Sequence, residues 1–388
     1  MPRASSATLR RRHQLVREAA ARHHVDALVV TTRSNILYLT NFTGSAAAVV
    51  VAQDKAHFIT DFRYVTALDA LQKSPQACPD LELSVVEGTY DATLIRVIRA
   101  LGIGRLGFEA SNVTVSRHSL LAAAFSDASR TGPALVPTDQ LVERIRVRKD
   151  DDEIGTLREA AELLSEVARG VFEEISRGRT ERDIAVAIDN RIRRGGFERP
   201  AFDTIVASGP RAALPHATPS ERRLDENDLV VLDFGGVYDS YCVDLTRTVS
   251  VGRAGERARE VYAAVLEAHD RAIRTVRPGR SRFAVDAAAR DWLTTCGLGA
   301  AFGHGTGHGL GLDIHEDPRI TRPASEAPGG DAGGVVDVDQ ALTPGMVFTI
   351  EPGAYLPGWG GVRIEDDVLV TEHGVDVLTS VTTDLLEL

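Results

Sequence analysis

The chain has 388 residues, of which 43% are hydrophobic and 5% aromatic, and it carries a formal charge of −11. That length suits two or three domains with ordinary globular cores. The acidic balance argues against nucleic acid or an anionic membrane as a main partner, and no run of about eighteen apolar residues is present to cross a bilayer.

The N-terminus is basic but lacks a following apolar stretch, so it does not read as a secretory signal. Residues 10–22 read as an amphipathic surface helix. Strands are expected at Ala27–Thr31, Ala47–Ala52, His57–Thr60, Leu81–Val86 and Arg105–Glu109. Helical patterns fall between them at Tyr64–Gln72, Thr93–Ala100 and Ser116–Ala124. This alternation predicts an α/β domain over residues 1–140, with a second domain over residues 141–388. Cys78, Cys242 and Cys296 are few, scattered and odd in number, without CxxC spacing. That favours a reducing, cytoplasmic setting over a disulfide framework. Cys242 reads as a small buried filler.

Beyond residue 140 a long helix is expected from Asp151 to Ser176, its acidic start suiting the helix dipole. A second runs from Thr180 to Arg193, with Thr180 as N-cap and Asp183 three residues on. Thr204–Ser208 reads as a strand, followed by loops through Gly209-Pro210 and Leu214-Pro215-His216. In the stretch VVLDFGGVYDSYCVDLTRTV (230–249), Val230–Leu232 and Asp244–Val249 read as strands, with a reversal through Gly235-Gly236 and Tyr238–Ser240. Helices are expected at Ala254–Val276 and Phe283–Thr295. Three polar clusters follow: GHGTGHGLGLDIHE (303–316), FTIEPGAY (348–355) and VRIEDDVLV (362–370). The glycines argue for a loop that lets imidazoles approach a site, leading into a strand at Leu310–Ile314.

Asp233, Asp244, Glu351 and Glu365 each interrupt an apolar strand pattern. Any one alone reads as a hydrogen-bonded core carboxylate. Four converging would repel one another and raise each other's pKa, a penalty that cations remove. A mostly oxygen-donor set with one imidazole suits Mn²⁺, Co²⁺, Fe²⁺ or Zn²⁺. Five ligands exceed one tetrahedral site and suit two ions sharing carboxylates.

These motifs resemble the metallopeptidases of the pita-bread fold, the group of methionine aminopeptidase, prolidase and aminopeptidase P. Asp244 follows Asp233 by eleven residues, His315 follows His308 by seven, and Glu365 follows Glu351 by fourteen. The resemblance implies an α+β protein, with a pita-bread catalytic domain behind a creatinase-like α/β domain. It implies two divalent ions, manganese first, with cobalt, zinc or iron as alternatives. Asp233 would bind one ion, Asp244 and Glu365 would bridge both, and His308 and Glu351 would complete the other. Glu351 would also move a proton, while His216 and His315 would contact the substrate and the oxyanion. His304, Tyr355 and Arg363 would border the substrate.

On residues alone, His216 reads as a surface-loop histidine, His304 as either a pocket residue or a loop donor, and Tyr355 and Arg363 as packing and ion-pairing partners. The segments Tyr38–Ser45 and Thr60–Tyr64 resemble aminopeptidase P more than prolidase. The implied activity is therefore release of an N-terminal residue from a peptide with proline second, by a cytoplasmic homodimer. The alternatives are a prolidase, another hydrolase or lyase on this scaffold, and a metal-free binding protein. The Gly/Ala/Pro-rich stretch Thr321–Asp337 reads as a surface loop rather than a flap.

Overall fold

The computed structural model describes residues 4–126, 132–323 and 340–388. Residues 324–337 of the Gly/Ala/Pro-rich stretch therefore lie outside the described residues. The chain divides into two compact units, Met1–Arg146 and Val147–Leu388.

The first unit contains helices α1 (Ser6–Arg22), α2 (Arg33–Thr40), α3 (Phe62–Gln72), α4 (Tyr90–Leu101), α5 (Val115–Phe125) and α6 (Leu141–Arg146). Helix α6, beyond the boundary expected at residue 140, groups with this unit. The strands are β1 (Ala27–Val30), β2 (Ala48–Val51), β3 (Ala56–Thr60), β4 (Leu81–Val85), β5 (Arg105–Glu109) and β6 (Ala134–Thr138). They form one mixed sheet in the order β4-β3-β2-β1-β5-β6. Strands β1 and β2 are buried at every position, which explains their continuous apolar sequences. Helix α2 is not evident from pattern, because its sequence RSNILYLT has weak amphipathicity and no side-chain cap.

The second unit begins with α7 (Asp151–Val171) and α8 (Glu181–Arg194). Both start with a capping box, Asp150 with Glu153 and Thr180 with Asp183. Helix α7 ends at Val171, before the expected Ser176, in a 3-10 turn at Phe172–Glu174. Next come β7 (Arg199–Pro200), β8 (Ile205–Ser208), β9 (Leu229–Tyr238) and β10 (Tyr241–Ser250), then α9 (Glu256–Thr275) and α10 (Arg282–Thr295). The remaining strands are β11 (Gly307–Gly309), β12 (Glu316–Ile320), β13 (Val347–Ile350), β14 (Gly353–Leu356), β15 (Gly360–Arg363), β16 (Asp366–Val370) and β17 (Val375–Val377).

Strands β9 and β10 form a long hairpin, paired from Tyr238↔Tyr241 to Leu229↔Ser250. Its turn is only Asp239-Ser240, both with positive φ (44° and 72°), the geometry of a tight two-residue hairpin loop. The expected reversal at Gly235-Gly236 does not occur; β9 runs straight through. Those glycines serve close approach instead. A Cβ on Gly236 would lie 2.3 Å from the Phe197 ring, and one on Gly235 2.3 Å from the Val243 carbonyl.

A five-stranded sheet follows the order β12-β11-β13-β16-β17. An isolated bridge between Thr246 and Glu365 ties it to the hairpin. Helices α7 and α8 bury Leu157, Leu164, Ile184 and Ile188 against Val230, Leu232 and Phe234. Helices α9 and α10 bury Val265 and Leu293 in a cluster with Phe348, Ile350 and Val368. Each such aliphatic side chain contributes about 1.5–3 kcal/mol on burial. The two helix pairs thus brace the strands from which the candidate carboxylates project.

Candidate metal centre

Strand alternation puts Asp233 and Asp244 on one face of the hairpin. Asp233 is paired with Thr246, and Asp244 with Gly235. His308 lies in the middle of β11, and Glu351 directly follows β13. The expected strand at Leu310–Ile314 is absent; that segment is the bend joining β11 to β12. The nearby glycines again serve contact, since a Cβ on Gly307 would fall 1.8 Å from the Thr349 carbonyl oxygen. Glu365 lies between β15 and β16, its backbone N–H donating to the Thr246 carbonyl (3.1 Å).

Asp244, His308 and Glu365 are buried, and each offers one donor atom within 4.8 Å of the others. His308 Nε2 lies 3.7 Å from Glu351 Oε1 and 3.9 Å from Asp244 Oδ2. Asp233 falls outside that tight group of three; its Oδ2 accepts from Arg363 Nη2 (2.5 Å). The Oδ1 atoms of Asp233 and Asp244 are both buried without a hydrogen-bond partner among the described residues.

Four carboxylates therefore line one cavity, and the Arg363 guanidinium pairs with one of them, Asp233. Burial pushes the Asp244 carboxyl well above its usual range, with the charges of Glu365 and Asp233 adding to it. Burial, then Glu351 and Asp233, do the same to Glu365. Glu351 is pushed up to about 7, chiefly by burial. Burial also lowers the His308 imidazole to about 3, keeping it neutral. Its Nδ1 lies 3.0 Å from the Gly309 carbonyl, which assigns the proton there and aims the Nε2 lone pair at the carboxylates. A lone pair facing anions is repulsive unless a cation lies between them. The orphaned oxygens and the aimed imidazole thus fit a divalent metal.

A pH dependence follows. A glutamate in the unfolded chain titrates near 4.5, whereas folded Glu351 titrates near 7. Between those values the native state binds protons that the unfolded state lacks, so stability falls as pH rises. Thermal melts of chelated protein are expected to show Tm declining from about pH 5 to about pH 7. Adding back a divalent metal should raise Tm more at the upper end; a metal-induced shift that shrank with pH would contradict the fit.

The five residues face a cavity of about 750 Å³, also lined by His216, His304, His315 and Arg363. That volume falls in the range of small-molecule sites. His216 and His315 are exposed on its wall. The His315 ring packs edge-on to His308 at 4.3 Å. Burial, followed by Arg319 and His216, lowers its pKa. His304 Nδ1 meets the Gly305 carbonyl at 2.7 Å and its Nε2 meets the Tyr355 hydroxyl at 2.9 Å. Both nitrogens are engaged within the protein, and burial lowers its pKa to about 4. Tyr355 is not among the cavity-lining residues; its hydroxyl accepts from Arg363 Nη1 (2.8 Å). Arg363 in turn contacts Asp233 and, through Nε, the Thr246 hydroxyl (3.1 Å). That hydroxyl donates to Glu365 Oε2 (2.6 Å).

Several supporting residues escape a sequence reading. Asp367 Oδ2 accepts from the Asp244 backbone N–H (3.0 Å). Asp286 holds the N–H and hydroxyl of Thr306, while its partner Arg290 donates to the Phe302 and His304 carbonyls. In sequence this pair resembles any exposed i,i+4 ion pair on a helix. Arg319 lines the cavity, and its guanidinium makes no hydrogen bond or ion pair to another described residue.

Residues 155–372 match the metallopeptidase family M24, and residues 12–148 match the creatinase/prolidase N-terminal domain. An Xaa-Pro dipeptidase of Pyrococcus furiosus is 42% identical over 248 residues, 64% of this chain and 67% of the relative. The structure of an Xaa-Pro dipeptidase from Bacillus anthracis superposes with a TM-score of 0.89 at 36% identity, covering 98% of this chain and 100% of that one. That of an X-Pro aminopeptidase from Thermotoga maritima gives 0.83 at 32%, covering 96% and 100%.

Proposed function

The chain belongs to metallopeptidase family M24, with a creatinase-like N-terminal domain and a pita-bread catalytic unit, and from that premise we propose that it is an Xaa-Pro dipeptidase. The observation that carries the reading is the buried group of Asp244, His308 and Glu365, with orphaned oxygens on Asp233 and Asp244 beside it. Asp233, Asp244, His308, Glu351 and Glu365 would hold two divalent ions, manganese first given the oxygen-rich donor set. Bound there, the ions would polarise the scissile carbonyl and lower the pKa of the attacking water.

The remaining work falls to this chain's own groups. Glu351, partly exposed to the cavity, receives a proton at a carboxylate oxygen and returns it to the leaving imino nitrogen of proline. His216 and His315 donate hydrogen bonds to the substrate carbonyl as negative charge develops on it. Arg363 holds Asp233 and, through Thr246, Glu365. Three free cysteines agree with a reducing cytoplasm. A homodimer is the proposed assembly, to be read by light scattering.

The dipeptidase reading replaces the aminopeptidase reading drawn from short N-terminal motifs. The Bacillus anthracis dipeptidase is more similar to this chain, in identity and in superposition, than the Thermotoga aminopeptidase, at 36% and 0.89 against 32% and 0.83. Arg319, which lines the cavity and has no guanidinium partner among the described residues, supplies a chemical reason, because a dipeptide places its carboxylate directly on the proline. With Mn²⁺ present, Xaa-Pro should be cleaved in preference to Xaa-Pro-Xaa; the reverse preference would restore the aminopeptidase. Arg319→Ala should raise KM for Xaa-Pro about tenfold to a hundredfold, as expected for a lost charge-assisted hydrogen bond. Xaa-Pro-amide, which lacks the carboxylate, should be nearly indifferent to that change.

A further inference from the structure

Glu181 is the first residue of α8, fully buried, and takes no part in the reaction described above. Its carboxylate accepts five hydrogen bonds. Oε1 receives the backbone N–H and the hydroxyl of Ser208, both at 2.8 Å. Oε2 receives Arg211 Nε (2.9 Å), the Ser220 N–H (3.0 Å) and the Ser220 hydroxyl (2.6 Å). Burial pulls this carboxyl upward, but the hydrogen bonds from Ser220 and Ser208 outweigh it and hold the pKa below its ordinary value. The helix N-terminus adds favourable potential.

The two serines are the ends of one loop. Between them lies residue His216, and Pro215, His216, Ala217, Thr218 and Pro219 all line the cavity. Arg211, also held by Glu181, donates onward to the Thr218 carbonyl (2.6 Å). Arg222 braces the same knot from outside, donating to the Ser208 hydroxyl (2.7 Å) and pairing with Asp228 (2.6 and 2.9 Å). At the tip, the Pro215 carbonyl accepts from Arg363 Nη1 (3.3 Å), the side chain that also holds Asp233. One buried charge thus closes both ends of the wall that faces the carboxylates.

We propose that Glu181 is a positioning residue: its carboxylate cinches the 208–220 loop and so sets His216 against the substrate, without touching substrate or metal. The inference rests on the Xaa-Pro hydrolase reading for its kinetic consequence, but not for its structural one. Glu181→Gln keeps the shape while turning one acceptor into a donor that faces other donors. Misplacing a substrate-facing group by about 1 Å can cost on the order of a hundredfold in rate.

The test is a double-mutant cycle together with amide exchange on the full-length protein. E181Q should lower kcat/KM for Xaa-Pro by about tenfold to a hundredfold at unchanged metal stoichiometry. In a His216→Ala background the same change should cost less than about threefold, because the group being positioned is gone. Amides of residues 208–220 should exchange at least about tenfold faster, with α7, β9 and β10 unaffected. Equal losses in both backgrounds, or exchange accelerated throughout the unit, would overturn the proposal. If E181Q does not fold, Ser220→Ala, which deletes one donor and leaves the charge, is expected to show the same local pattern in smaller degree, and its absence would count against the idea. Should wild-type protein fail to cleave Xaa-Pro substrates, the hydrolase reading falls, and the exchange pattern alone still decides the role of Glu181.

Discussion

Replacing Asp244 with alanine is expected to abolish Xaa-Pro hydrolysis, lowering kcat/KM by roughly a thousandfold or more. Loss of a group that merely orients a metal ligand already costs about tenfold to a hundredfold. Asp244 is proposed to serve both ions, so its removal should cost more. The strand itself should survive, because the Asp244 backbone N–H that donates to Asp367 is unchanged by the substitution. The metal-free variant should even melt higher than metal-free wild type, since one of four crowded carboxylates, three of them buried, is gone. Reduced metal content, lost turnover and a raised Tm of the chelated protein form the expected signature. Near-normal turnover, or a lower Tm after chelation, would contradict the assignment.

Arg363→Met should produce the second large effect, on stability first and on catalysis through it. Arg363 is 3% exposed and Asp233 9% exposed, so the substitution strands a buried carboxylate. Breaking such a pair by removing one partner destabilises by about 3–5 kcal/mol. The same change also releases the Tyr355 hydroxyl and the Pro215 carbonyl. The loss should be greatest in chelated protein and smaller once a cation shares the burden of Asp233. Urea titrations of the metal-free and metal-loaded variant measure this directly; equal losses in both forms would show that Asp233 does not face the metal.

The capping box at Thr180, the acidic start of α7, the α7–α8 pair and the apolar strands of the first unit were legible because each follows from local pattern. The hairpin was legible only in part. Gly235 and Gly236 read as a turn, since glycine is the residue of both turns and close contacts, and only Phe197 and the Val243 carbonyl show which applies. The same ambiguity placed His308 in a loop, although the glycines on either side of it let β11 press against its neighbours. Tyr355 and His304 illustrate a different limit. Their positions were read as bordering the substrate; His304 lines the cavity and Tyr355 does not, and the hydrogen bond that joins them is not written in their spacing.

What this chain's sequence settled alone is the inventory: which carboxylates interrupt apolar strands, at which separations, and which histidines accompany them. Those are properties of order and residue type, and order suffices to place the chain in its family. The fold decided how charges from distant segments divide among themselves. It gave Asp233 to Arg363, joined Glu365 to Thr246, and left Oδ1 of both aspartates without a partner among the described residues. Electrostatic compensation depends on distance in space and on exclusion of water, and neither exists until strands far apart in the chain are packed side by side.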